Sequence, residues 1–468
     1  MYLTHKLLLS LFVLVFTLFA HAEKSDGLQK IINKYKFNES EFSFGIVNLT
    51  DDQVVGLHNE KKLFNSASLV KIITTFIGLK ELGPDFSWRS DFYYTGDIVG
   101  ETLKGDIIFK GTGDASFSVD DLEDMIRKIQ SKGIKKIEGN LLFDTSYFGL
   151  MPNEVTFDND PMRAYNVLPN AISLQSNTIN FRFNNQKNKI MIGANPNIRA
   201  LKINNNIKTN REECVGWREK LSYEAKIKEQ QIFLNFSGKF SQKCKVKEID
   251  LAMLDWQTYF YHIFKQKWID NGGLFNGDFI KTFKVLDNNR LLVSHYSDSL
   301  SNLIRDTNKY SLNLMSRNLM LTVIANKNYV QPTEAMVNSY IKNWLVEHQI
   351  ETEGLLIDNG AGLSRNIKIS VNQYLMILRN IYYDPMMPEM ISSFPIAGID
   401  GTLKRRMKNS PIKMNGHFKT GSMNNVNAMA GFFLNNDKEM NIFVFMMNGK
   451  KANMSQNFQE ALIESFFK

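Results

Sequence analysis

The sequence predicts a mixed α/β (α+β) chain in which an antiparallel sheet with flanking helices is interrupted by a long β-rich insertion. Three observations carry this prediction. A hairpin pattern followed by a helix pattern stands near the N-terminus. A helical block and then a run of strand patterns close the chain. Between them the texture changes to short strands and Asn-rich turns. A chain of 468 residues is also too long for one core, so two or more domains are expected.

The elements follow in order. Residues 1–22 read as a signal peptide: His5 and Lys6 form a basic start, 7–20 are apolar, and Ala20-His21-Ala22 is a small-x-small cleavage site. The apolar run is shorter than the roughly 20 residues of a spanning helix, and no basic stop-transfer patch follows it. The expectation is export to the periplasm, a mature chain beginning near Glu23, and no stable membrane span.

Residues 43–59 pair FGIVNL with QVVGLH around Asp51-Asp52, a hairpin. In SLVKIITTFIGLKEL, Leu69, Ile72, Ile73, Phe76 and Leu79 recur at helical spacing, and Gly83-Pro84 stops the run. This predicts an amphipathic helix with Ser68 at its head. Residues 88–285 form the insertion, read as two subdomains with strands such as GDIIFKGTG and QIFLNFSGKF and one helix, DDLEDMIRKIQSKG. Residues 23–87 and 286–468 make the other domain. Its later part is helical over 300–345. It then turns to strands (HFKTGSM, NAMAGFFLN, MNIFVFMMN) with turns at Asn424-Asn425 and Asn436-Asp437, and ends in a helix over 455–467.

Composition narrows the function. The formal net charge of +8 fits plain solubility or attraction to an anionic polymer outside the membrane. Exported proteins rarely meet nucleic acid and no basic block with interleaved aromatics appears, so nucleic acid is a poor candidate partner. Cys214 and Cys244, the two cysteines, are expected to bridge in an oxidising compartment, with two buried thiols as the alternative. There is no His-Glu-x-x-His and no His cluster beside the cysteines, so neither a metal site nor a cofactor is expected.

The first chemical element is Ser68-Leu69-Val70-Lys71. A serine hydroxyl is a weak nucleophile until a base takes its proton. Positions i and i+3 share a helix face, so the lysine amine can reach the serine oxygen. The helix N-terminus also offers N–H groups to an oxyanion. Other copies exist at Ser410, Ser339 and Ser465, in a proline-bearing loop, a helix interior and a fraying end. A helix cap beside a solvated lysine is the bland alternative. The second element is Lys419-Thr420-Gly421, the single such triplet, on a strand. Its lysine and hydroxyl can hold a carboxylate, and its glycine lets a substrate backbone approach. The third, Ser-x-Asn, fits both Ser311/Asn313 and Ser316/Asn318, with further matches at Ser364 and Ser455. The first opens a helix, where a serine is exposed at the cap.

Ser-x-x-Lys, Ser-x-Asn and Lys-Thr-Gly in this order resemble the motif set of penicillin-binding proteins and class A β-lactamases, with Leu312 in place of the middle motif's Asp. The stretches NSASLVKIITTFIGLKELGPDFSW, GTGDASFS, RDTNKYSLNLMSRNL, DNGAGLSR, FPIAGIDGTLKRR and GHFKTGSMNNVNAMAG extend this. They resemble the penicillin-binding protein 4 type of D-alanyl-D-alanine carboxypeptidase/endopeptidase, a low-molecular-mass class C penicillin-binding protein, over almost the whole chain. The long interval from Lys71 to Ser311 matches that family's insertion rather than a compact β-lactamase.

The resemblance implies a serine β-lactamase/transpeptidase-like domain, peptidoglycan stem peptides as substrates and β-lactams as inhibitors. It favours Ser311 over Ser316. It implies Ser68 as nucleophile, Lys71 as base, Ser311 as proton relay and Asn313 as its companion. Lys419, Thr420 and Gly421 would bind substrate, with the Ser422 N–H in the oxyanion hole. A β-lactamase or esterase on the same scaffold, which would hydrolyse nitrocefin quickly, is the alternative enzyme. A catalytically silent peptidoglycan-binding protein is the alternative outside enzymes. A Ser-His-Asp hydrolase is disfavoured, since no Gly-x-Ser-x-Gly elbow occurs and His417 reads as a strand residue.

Overall fold

The computed structural model describes residues 27–467 except 150, 152–156, 159, 187–188, 229–230, 281–288 and 329–330. The expected signal peptide and the expected junction at 285 and 286 lie outside the described residues. Two compact units emerge. One takes the chain up to Phe86 and resumes at Ser299; the other is Ser87–Asp298.

The first unit is built on a five-stranded sheet. Strands β1 (Phe42–Asn48) and β2 (Val54–His58) form the N-terminal hairpin, and β3 (Gly416–Met423), β4 (Val426–Leu434) and β5 (Met440–Asn448) form the C-terminal meander. Their order is β2-β1-β5-β4-β3, and every pair is antiparallel. The β1–β5 pairing joins the two ends of the sequence. Strands β4 and β5 are buried at nearly every position. Their near-continuous apolar run, in place of alternation, reflects cover on both faces. On one face Phe458 meets Phe42 and Phe445 edge-on, with centroids at 5.1 and 5.6 Å. On the other face a helix over Val371–Tyr383 packs against β1 and β5. Gly45 makes that approach possible: a Cβ there would sit 2.7 Å from Leu375 Cδ1.

The remaining helices carry the chemistry. Helix α1 spans Val70–Leu82 and ends at Gly83, whose φ of 87° an L-residue rarely adopts. Helices α2 (Leu300–Tyr310) and α3 (Asn313–Asn328) follow the second unit. The helix at 70–82 is not amphipathic as the pattern predicts. Every residue from Val70 to Leu79 is buried. Its polar positions are bonded inside the protein: Thr74 Oγ1 donates to the Gly360 carbonyl at 2.6 Å, and Thr75 Oγ1 to the Lys71 carbonyl at 2.7 Å. Gly78 lets Leu319 of α3 close on the helix, at 3.0 Å from an ideal Cβ. Each buried Ile or Phe of α1 contributes roughly 1.5–3 kcal/mol of transfer free energy, so α1 is the central post of this unit.

The second unit is β-rich, with two α-helices among its described residues. A mixed five-stranded sheet includes Arg89–Tyr94, Ile107–Gly111 and Leu141–Asp144, and its edge strand Arg290–Tyr296 pairs antiparallel with Arg89–Tyr94. That pairing carries the unit to Asp298, past the boundary read from sequence. It joins segments about two hundred residues apart, which no local pattern reveals. Helices Val119–Ser131 and Trp256–Asp270 pack with it through Phe92, Phe109, Phe260 and Phe264. A four-stranded sheet and two three-stranded sheets also belong to the unit, and a disulfide joins Cys214 to Cys244 (Cα–Cα 5.1 Å) there.

The bridge closes a loop with a sequence separation of 30. Loop-closure entropy assigns such a cross-link roughly 3–4 kcal/mol. The double substitution Cys214→Ser with Cys244→Ser is expected to lower the second unit's unfolding free energy by that amount in urea titration. A midpoint that neither the substitutions nor a reductant moves would show that the thiols are not joined.

Candidate active site

Ser68 does not start the α-helix itself. It sits in a single 3₁₀ turn, Ala67–Leu69, that feeds α1. Ala67 has a φ of 47°, a left-handed backbone that costs a non-glycine residue on the order of 1–3 kcal/mol. The surroundings hold it there. Asn65 Oδ1 accepts the Ala67 N–H at 2.9 Å, and Asn65 is itself tied to Ser364 and Asn448. Ser66 Oγ meets the Tyr374 hydroxyl at 2.9 Å. Two glycines press on the turn from either side. A Cβ on Gly362 would lie 2.0 Å from the Ala67 carbonyl oxygen, and one on Gly421 would lie 2.4 Å from that of Ser66 and 3.2 Å from the Ser68 nitrogen. Any larger residue at 421 would push β3 away from Ser68.

Lys71 projects from the first turn of α1 and is fully buried. Its Nζ lies within hydrogen-bond distance of three oxygens from three segments: Ser68 Oγ at 3.1 Å, Asn313 Oδ1 at 2.7 Å and the Ala361 carbonyl at 2.7 Å. The Ala361 carbonyl is aimed by a tight turn. Asn359 Oδ1 accepts the N–H groups of Ala361, Gly362 and Leu363 at 2.9–3.2 Å.

Ser311 and Asn313 lie where α2 gives way to α3. Ser311 is not the cap of an opening helix, as expected from sequence. It is the C-cap of α2, with φ 60° and ψ 43°, and its N–H returns to the Thr307 carbonyl. This left-handed residue turns the chain so that Ser311 Oγ accepts from Lys419 Nζ at 3.0 Å. Lys419 also donates to the Thr420 carbonyl at 2.7 Å. The rival pair stays inside α3. Ser316 is fully buried with its hydroxyl on the Gly360 carbonyl at 2.7 Å, and Asn318 is fully buried too. Ser68, Lys71 and Asn313 thus form one set of polar contacts, and Ser311 and Lys419 form a second. Gly421 packs on the turn that contains Ser68, and Thr420 and Ser422 flank it on β3.

The outer wall of β3 comes from residues 394–403. Phe418 N–H donates to the Pro395 carbonyl and Ala397 N–H to that of Gly416. Asp400 is anchored by Lys309, a buried lysine two residues before Ser311. Lys309 Nζ reaches Asp400 Oδ2 at 2.6 Å and the Phe394 carbonyl at 3.0 Å. Thr402, two residues on, places its hydroxyl 2.8 Å from that of Thr420. His417, partly buried, uses Nδ1 on the Ile391 carbonyl, away from both sets of polar contacts.

The electrostatics favour neutral amines. Burial first, then the charges of Lys419 and Arg317, hold Lys71 well below the ordinary lysine value. Burial outweighs the neighbouring Lys419 charge. Burial also brings Lys419 down to about 7.

Sequence reasoning missed Ala361 and Asn359, although Asp-Asn-Gly-Ala-Gly is a turn signal. It also missed Lys309, Asp400 and Thr402. Among the described residues, no group of His, Cys, Asp and Glu is placed to hold a metal ion.

Comparison with known proteins is consistent along the chain. The profile of the D-Ala-D-Ala carboxypeptidase 3 (S13) family matches residues 25–466. The chain is 26% identical over 441 residues to D-alanyl-D-alanine carboxypeptidase DacB of Haemophilus influenzae, covering 92% of this chain and 89% of that one. It is 25% identical over 423 residues to penicillin-sensitive carboxypeptidase A of Dictyostelium discoideum, covering 82% and 78%. The crystal structure of penicillin binding protein 4 from H. influenzae superposes with a TM-score of 0.79 at 22% identity, covering 94% of this chain and 99% of that one.

The lowered lysine values have a consequence for stability. Between about pH 7 and 10.5 the unfolded chain keeps a proton on Lys419 that the folded chain gives up. Raising the pH through that window therefore favours the folded state, by at most about 1.4 kcal/mol per pH unit. Lys71 acts in the same direction. Unfolding free energy is expected to rise across this range, and Lys419→Met, which keeps the stem without the amine, should flatten the slope. Equal slopes in the two proteins would contradict the assignment.

Proposed function

The chain belongs to the D-Ala-D-Ala carboxypeptidase 3 (S13) family, and from that we propose that it is a serine-type D-Ala-D-Ala carboxypeptidase acting on peptidoglycan stem peptides through an acyl-enzyme. The observation that carries the reading is the buried Lys71 amine, bonded at once to Ser68 Oγ, Asn313 Oδ1 and the Ala361 carbonyl.

Ser68 Oγ attacks the carbonyl carbon of the penultimate D-alanine. Lys71, neutral through burial, takes the hydroxyl proton. Two of its three acceptors keep the Nζ beside Ser68 while that proton moves. The tetrahedral oxyanion is met by the N–H groups of Ser68 and Ser422, each such donor worth roughly 3–4 kcal/mol. Ser311 passes a proton to the leaving amine, and the C–N bond breaks. Lys419 and Thr420 hold the terminal carboxylate, whose charge favours the protonated form of Lys419. Water then releases the acyl group from Ser68. The same groups would cut a D-alanyl cross-link, the endopeptidase reaction. A β-lactam would acylate Ser68 through its strained amide and stay, because its leaving group remains tethered in the site. The apolar run at 7–20 and the peptidoglycan chemistry of the family support a periplasmic location.

The test uses purified protein and a stem peptide ending in D-Ala-D-Ala, with D-alanine release as readout. Wild type is expected to turn over. Ser68→Ala should be inactive, and Lys71→Ala should lose roughly 10²–10⁴-fold, the usual range for a general base, while staying folded by circular dichroism. Turnover by Ser68→Ala at the wild-type rate would sink the reading.

A further inference from the structure

We infer that Thr402 is a second hydroxyl of the substrate-carboxylate site, paired with Thr420 and set in place by the buried Lys309–Asp400 contact. The inference rests on the reading of the site as a D-Ala-D-Ala peptidase and adds a residue to it.

Four observations carry it. The Thr402 and Thr420 hydroxyl oxygens are 2.8 Å apart, with Thr420 donating. Thr402 is exposed and Thr420 half-buried, so the pair opens to solvent at the edge of β3. A carboxylate has two oxygens that only accept hydrogen bonds. Two adjacent hydroxyls match it: each turns its proton outward to one oxygen, and the Thr420 to Thr402 bond is exchanged for two charge-assisted ones.

The position of Thr402 is also built. Asp400 Oδ2 is held by Lys309 Nζ and its Oδ1 accepts the Ile396 N–H at 2.8 Å. Gly401 has a φ of 53°, and a Cβ there would lie 2.6 Å from the Lys309 carbonyl oxygen. The Thr402 turn therefore rests backbone to backbone on the end of α2, two residues before Ser311. Finally, the local charge suits an anion. Residues 401–436 contain no Asp or Glu, and Lys404 and Arg405, both exposed, follow Thr402 after the buried Leu403.

The test compares two substrates: a stem peptide ending in D-Ala-D-Ala and the same peptide with its C-terminus amidated. kcat/KM is measured for release of D-alanine and of D-alaninamide by wild type, Thr402→Val and Thr402→Ser, with melting temperature as the folding check. Loss of one hydrogen bond to a charged group is expected to lower kcat/KM of Thr402→Val on the free-carboxylate peptide roughly tenfold or more. The amidated peptide should be almost unaffected, and Thr402→Ser should stay near wild type. An equal loss on both peptides would assign Thr402 a structural role and overturn the inference. So would no loss on the free-carboxylate peptide. A wild type inactive on both peptides would instead refute the peptidase reading, and this inference with it.

Discussion

An amine buried beside a hydroxyl is the constraint around which the first unit is arranged. A lysine at Lys71's depth is costly to keep charged, so it is held toward the neutral form. Its hydrogen-bonding capacity must still be met. The acceptors come from Ser68 on its own helix entry, Asn313 at the head of α3 and Ala361 in a loop. Those three segments are far apart in sequence, so the amine can be satisfied only after α1, α3 and the loop carrying Ala361 have assembled. The contact between Ser68 and Lys71 is thereby made part of the completed fold.

Close backbone approach is the second device. Gly362 and Gly421 press against the turn containing Ser68, and Ala67 is held in a left-handed conformation between them. The turn is over-determined: Asn65 fixes the Ala67 N–H while Tyr374 fixes Ser66. Strain of this kind persists only where the surroundings outweigh it. Here it keeps the Ser68 nitrogen close to β3. Position 421 of that strand must therefore be a glycine for a reason separate from substrate access.

Much of the site is legible in sequence because its central pair is local. Ser68 and Lys71 are three residues apart at a helix entry, and i, i+3 geometry is enough to bring them together. Lys419-Thr420-Gly421 is legible for a similar reason, as a unique triplet on a strongly patterned strand. The hairpin and the terminal meander follow from apolar strand runs separated by turns at Asp51-Asp52, Asn424-Asn425 and Asn436-Asp437. What stays hidden is of another kind. The Ala361 acceptor is a backbone carbonyl, and a carbonyl has no residue signature. Ser311's role depends on a left-handed C-cap, which a serine rarely adopts. The polar threonines of α1 suggest a wet face, yet their hydroxyls turn back onto carbonyls and the helix is buried all round. Lys309 and Asp400 are 91 residues apart, and only the folded chain shows that they meet.

The central claim is that Ser68 is the acylated residue. Peptide mapping by mass spectrometry after reaction with penicillin tests it most directly. The whole mass of the penicillin is expected on the proteolytic peptide that contains Ser68, and on no other. An adduct on Ser311, Ser316 or any other residue would contradict the claim. So would the absence of any adduct from protein that releases D-alanine.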